Sequence, residues 1–267
     1  MKNAIILTVL LSISILAVNG QMPKTAEEFY RRGEKFAKQG NTVRAEAAFT
    51  SALKLDPEHI KSYISRAELQ AKQSRFDLAI ADYTTVIKIN PNLVEAYAGR
   101  GELYRRAFDG RAAIADFNQV IRLEPKSAFG YILRAKAYGD LYQDADAEAD
   151  FATAIKLEPS NPQTYFYRGF MYFKQEKYDL VIPDMMLFLE LEDSNRSRIS
   201  EANIILTEIY LETNDLIAAL KFANEAITNA PTSAKAYFIR SLVFRKMNQK
   251  SKETADKRKA GWLKRKE

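Results

Sequence analysis

Apolar and polar positions along this chain follow a helical period, and from residue 26 onward the same pattern returns every 34 residues. Four stretches align without a gap: AEAAFTSALKLDP (45–57), AIADYTTVIKINP (79–91), AIADFNQVIRLEP (113–125) and AEADFATAIKLEP (147–159). In each, an apolar stripe occupies one helix face, and a proline that cannot continue the helix closes it. A second helical pattern precedes each stretch, clearest at Tyr97, Arg100, Gly101 and Tyr104. The pattern therefore predicts units of two helices and a turn, stacked in series.

Small residues fall where paired helices must touch: Gly33, Ala67, Gly101, Ala135 and Gly169 in the first helix, Ala45, Ala79, Ala113 and Ala147 in the second. Close packing at about 8–10 Å between axes requires them. An aromatic fills the space beside each crossing, at Phe49, Tyr83, Phe117 and Phe151, and Pro57, Pro91, Pro125, Pro159 and Pro231 end their units. Together these positions resemble the tetratricopeptide repeat family over residues 26–265. The resemblance implies an all-α, right-handed superhelical solenoid of about seven antiparallel helix pairs. Its units are expected at 26–59, 60–93, 94–127, 128–161, 162–193, 200–233 and 234–267, after a short leader at 21–25.

Two units depart from the pattern. The fifth carries Val181, Met185 and Phe188 in place of Ala, aromatic and Ala, and Pro183 inside its second helix predicts a kink. The sixth starts four residues late, which predicts an insertion loop at 194–199.

An arginine recurs at Arg66, Arg100, Arg134, Arg168 and Arg240, and sixteen residues after each stands Asp82, Asp116, Asp150, Asp184 or Asp256. The two types vanish together in the sixth unit, to Leu206 and Phe222, while the first keeps Arg32 but has Ala48. Antiparallel helices bring such positions opposite each other, so the spacing predicts a ladder of structural ion pairs within units.

In the family this chain resembles, first helices line a groove that takes peptides or helices of other proteins. Here that side carries Glu34, Glu68 and Glu102, each followed four residues later by Lys38, Lys72 or Arg106, a spacing for salt bridges within a helix. The family's chaperone-binding members hold a terminal carboxylate with Lys, Asn and Arg; Tyr30, Glu34, Ser65, Glu95 and Gly99 do not match that set. The fifth unit differs, because Phe166, Phe170 and Phe173 form a second apolar stripe beside the core stripe of Tyr165, Gly169 and Tyr172. Ile132, Ile204 and Phe238 extend it to neighbouring units, and Lys136 and Lys174 flank it. An exposed apolar column with a charged rim predicts a partner site, for another protein or for a second copy of the chain. The competing expectation is that the array's winding or the insertion covers it.

Charge changes the picture at one end only. The net charge is +6, but residues 245–267 hold ten Lys/Arg and three Asp/Glu, leaving 30 basic and 31 acidic residues elsewhere. The basic segment replaces the last unit's packing residues with Glu253 and Lys257, and reads as a polar cap or as a dock for an anionic envelope polymer or lipid. Residues 1–20, with Lys2 and then an apolar run from Ala4 to Val18, read as a signal peptide cut near Gly20, or as an uncleaved anchor. Export is the expectation, to the periplasm or outside the cell, which disfavours nucleic acid as a partner. The chain has no cysteine and one histidine, His59, expected in a loop. No nucleophile–base pair, phosphate-binding loop or metal cluster stands at usable spacing, so the sequence reads as a scaffold, not an enzyme, with no cofactor.

Overall fold

A computed structural model describes residues 25–192 and 194–266; the expected signal peptide lies outside them. The described residues form fourteen helices and no strand. They are α1 (Ala26–Lys38), α2 (Thr42–Leu55), α3 (Ile60–Lys72), α4 (Phe76–Ile89), α5 (Val94–Arg106), α6 (Gly110–Leu123) and α7 (Ala128–Asp140). α8 (Asp144–Leu157), α9 (Pro162–Lys174), α10 (Tyr178–Leu191), α11 (Arg196–Glu212), α12 (Leu216–Asn229), α13 (Ala234–Lys246) and α14 (Lys250–Lys264) follow. Two compact units divide after Asp116. The fold is an all-α helical repeat solenoid.

Many of the helices begin where the sequence supplies a side-chain acceptor for their free N–H groups. Thr25 and Glu28 form a capping box on α1, and Asn41, Ser127, Asn161, Asn195, Asp215 and Ser233 cap later helices. His59 is part of this set and no ordinary loop residue: its Nδ1 accepts from the Ser62 N–H at 3.3 Å, and Nε2 lies 3.4 Å from Glu27.

The turn inside each pair has one recurring geometry. Gly40, Ser74, Phe108, Tyr142, Glu176, Asn214 and Asn248 all have positive φ, from 57° to 72°. After α3, for example, the Arg75 N–H reaches back to the Gln70 carbonyl at 2.9 Å and the Ser74 N–H to Ala71 at 3.1 Å, which satisfies the last carbonyls. Glycine adopts this conformation without strain, yet only the first turn has one. Phe108, 96% exposed, gains nothing from packing at this position. Phe108→Gly is therefore expected to stabilise the chain by up to about 1 kcal/mol, the left-handed strain less glycine's entropy. Urea unfolding checks the sign.

In the first unit the core forms around Ala45, Phe49 and Leu69 and around Ala67, Ala79, Tyr83, Val86, Ala96 and Leu103. Gly33 is a matter of space: a Cβ there would lie 2.5 Å from the ring of Phe49, itself 1% exposed. In the second unit the largest core lies where the sequence leaves the repeat pattern. Val181, Met185 and Phe188 are fully buried, and pack with Tyr165, Phe166, Ala202, Ile205, Leu206, Ile209 and Phe222. Leu206 and Phe222, which replace the missing ion pair, both join this cluster, so an apolar contact substitutes for a charged one.

Pro183 lies inside helix α10, which spans Tyr178–Leu191. One expectation about an irregular segment is corrected. The four inserted residues form no loop: α11 has 17 residues where α9 and α13 have 13, so the insertion adds a helical turn at the N-terminus of α11.

Candidate partner-binding face and the arginine ladder

The ladder is a set of forked contacts. Arg66 Nη2 donates to Asp82 Oδ1 at 2.7 Å and Nε to Oδ2 at 2.8 Å. Arg100 with Asp116 and Arg134 with Asp150 repeat those distances. Arg168 with Asp184 gives 2.6 and 2.8 Å, and Arg240 with Asp256 gives 2.9 and 2.8 Å. The five aspartates are buried at 4–6% exposure. The hydrogen bonds each arginine donates to its aspartate raise the arginine pKa, so the charge is fixed at all accessible pH.

A third contact was not read from the sequence. Nη1 of Arg66, Arg100, Arg134 and Arg240 donates to Thr50, Thr84, Asn118 and Asn224, at 3.0, 3.1, 2.6 and 2.8 Å, each sixteen residues earlier. One guanidinium thus holds its own helix pair and the preceding helix. The signal was present as a polar residue at a constant offset before each of these arginines; position 152 is Ala, and Arg168 lacks the contact.

The apolar column expected on the first helices divides into separate pieces. Ile132 is 3% exposed and packs with Ala128 and Ala154. Ile204 is equally buried, in a cluster with Ala219, Ala223, Ala236 and Ile239. Phe238 is half exposed and belongs to neither. Phe166, 4% exposed, packs against Phe188 with ring centroids 5.0 Å apart and joins the main core. The expectation of Phe166, Ile132 and Ile204 as open anchors is therefore corrected: all three side chains pack between helices and not toward solvent.

What remains on this side is an aromatic surface roofed by cations. Phe170 and Phe173 are half-buried, Phe170 stacked on Phe166 at 6.4 Å and Phe173 beside Tyr178 at 6.4 Å. Tyr167 joins them at 5.5 Å from Phe166, edge to face. Lys136 on α7 lies 4.5 Å from the Tyr167 ring and Lys174 on α9 lies 5.2 Å from the Phe170 ring. Lys174 also approaches Asp140 at 3.5 Å. Arg198, on the added turn of α11, is 5.2 Å from both Phe166 and Tyr167 and donates to the Tyr167 hydroxyl at 3.1 Å. The insertion therefore does cover Phe166, as one of the two expectations had it, and it places a guanidinium over the neighbouring ring. Tyr167 escaped the sequence reading because Ser65, Gly99 and Leu133 occupy its level in other units.

The first unit's helices carry the opposite charge. Ser65 donates to Glu34 at 3.3 Å, and Arg105, rather than Arg106, binds Glu102 at 2.7 Å. Arg106 instead lies over Phe76 at 4.8 Å. Burial, with Glu95 and Glu34 adding to it, raises the Glu68 carboxyl above the usual range. Among the described residues no group of three or more His, Asp or Glu side chains could hold a metal ion.

Residues 30–94 and 64–128 match the family model described as tetratricopeptide repeat. No curated protein matches the sequence. A tetratricopeptide repeat protein from Parabacteroides merdae is similar in structure, with 17% identity, a TM-score of 0.65, and 89% of this chain and 93% of that one covered. Yeast Tom70 is 18% identical with a TM-score of 0.72, over 89% of this chain, which spans half of that one. PilW, a type IV pilus biogenesis factor, is 16% identical with a TM-score of 0.64, over 80% of this chain and 98% of that one.

Proposed function

We infer from this chain's being a tetratricopeptide repeat protein that it is a non-enzymatic scaffold, exported to the bacterial envelope, that binds a segment of a partner protein. The segment docks on Tyr167, Phe170 and Phe173 and carries acidic side chains that meet Lys136, Lys174 and Arg198. The observation that carries this reading is the Arg198 guanidinium, brought over the aromatic face by an extra helical turn. A desolvated aromatic beside a cation is the composition of an interface hot spot, and an amphipathic helix presents its apolar and charged groups in that pairing. Export is supported by the sequence of residues 1–20.

Capture from envelope extract with residues 21–267 tests it. Tyr167→Ser/Phe170→Asp is expected to lose a specific protein that the parent chain retains, with binding that falls only modestly from about 0.1 to 0.5 M salt, since apolar burial is not screened. Retention by the double variant removes this reading.

A second reading has one observation in its favour. On α14 the exposed indole of Trp262 lies 4.7 Å from the Lys259 ammonium and 4.0 Å from that of Lys266. An aromatic between exposed lysines suits an anionic polymer or lipid surface. Under it the captured material would be lost with Lys259→Glu/Trp262→Ser/Lys266→Glu, and released by salt, while the Tyr167 variant would bind normally.

A further inference from the structure

The register that sets an aspartate against each ladder arginine leaves one arginine without a partner. Arg32 occupies on α1 the position of Arg66, Arg100, Arg134, Arg168 and Arg240, but the residue sixteen places on is Ala48. Arg32 is two residues from Glu34, hence on nearly the opposite side of α1 from the acidic face. No carboxylate among the described residues pairs with it. Its guanidinium lies 5.6 Å from the centre of the Phe36 ring, and Arg44, also exposed and without an ion pair, lies 5.8 Å from the same ring.

The space beside Ala48 belongs to an open pocket of about 460 Å³. Phe29, Phe36, Ala47 and Ala48 supply apolar lining, and Arg32 and Arg44 supply the charge. Two like charges against one ring repel each other unless an anion lies between them. In five other repeats the ladder arginine is met by a forked aspartate at 2.6–2.9 Å. Residues 1–24 contain no Asp or Glu, so the segment preceding the pocket has no side-chain carboxylate to offer.

We propose that this pocket recognises an aspartate side chain flanked by aromatic residues on a partner protein. The ligand's carboxylate takes the place that Asp82, Asp116, Asp150, Asp184 and Asp256 hold in their units, forked on Arg32, while its apolar neighbours rest on Phe29 and Phe36. The site is separate from the Tyr167 face, and neither inference depends on the other.

The test titrates acetyl-Phe-Asp-Phe-amide into residues 21–267 while the arginine Nε–H signals are followed by NMR. The expected result is a saturable shift of the Arg32 signal, with acetyl-Phe-Asn-Phe-amide at least about tenfold weaker for want of the charge. Ala48→Asp, which restores the ladder's own carboxylate, is expected to abolish binding while leaving the remaining signals in place, and Arg32→Leu to weaken it by a similar factor. Equal affinity for the Asn peptide, undiminished binding by Ala48→Asp, or no saturation by about 10 mM would each overturn the proposal and leave an open end of the repeat stack.

Discussion

Phe188→Ala is expected to cost about 4 kcal/mol of unfolding free energy, the largest loss of any single substitution considered for this chain. Phe188 is fully buried, contacts the Phe166 ring at 5.0 Å, and sits in the cluster shared by α9, α10, α11 and α12. Truncation removes the ring's transfer free energy and leaves a cavity that bulky neighbours such as Met185 and Ile205 cannot readily collapse into, a combination worth about 3–5 kcal/mol in tightly packed cores. Because stability in a repeat array is spread over nearest-neighbour interfaces, the loss should be local. Hydrogen exchange is expected to quicken most in α10 and α11 and least in α2. Phe238→Ala, at a half-exposed position, serves as the control and should cost about 1 kcal/mol or less. Equal costs at the two positions would mean that the fifth repeat is not the keystone of its unit.

Arg134→Leu is expected to cost about 3 kcal/mol, and Arg134→Leu/Asp150→Leu less than Arg134→Leu alone. The single change leaves the Asp150 carboxylate, 5% exposed, without its two charged donors, and it strands Asn118 as well. Breaking a buried pair on one side costs about 3–5 kcal/mol, and the lower figure applies because a fifth of the Arg134 side chain remains in water. Removing both charges abolishes the desolvation penalty and lets apolar contact replace the bridge. The chain contains this experiment already: Leu206 and Phe222 occupy the two ladder positions in the sixth repeat and both pack in the core. A double-mutant cycle in urea measures the coupling. If both single variants unfolded like the parent, the ladder would be a surface decoration.

The repeat architecture was legible because its determinants are local and repeated. Small residues at Ala45, Ala79, Ala113 and Ala147, the closing prolines, and the fixed sixteen-residue spacing of arginine and aspartate each recur often enough that the helix pairs follow from spacing alone. Even so, the left-handed turns at Phe108 and Tyr142 gave no signal, since the residues there are not those that favour positive φ; the hydrogen bonds that close each helix impose the conformation instead. The candidate site was legible in part. Phe166, Phe170 and Phe173 were visible as a second stripe, but amphipathicity does not say whether a second apolar face meets solvent or another helix. That depended on α11, whose extra turn has the polar sequence of a loop and is helical because Asn195 caps it and Ile199 packs on the core. Tyr167 stayed hidden for the same reason, as its role follows from Arg198 and Lys136 on neighbouring helices.

The most direct measurement of the scaffold reading places a photo-cross-linking phenylalanine derivative at position 170 in cells, with Ile217 and Trp262 substituted in parallel. Ile217 on α12 is 84% exposed and Trp262 on α14 is 43% exposed, so both report contacts away from the aromatic face. The account predicts a discrete protein adduct from position 170 that disappears with Arg198→Glu, and no such adduct from 217. Adducts from 262 alone, or equal adducts from 217 and 170, would contradict it.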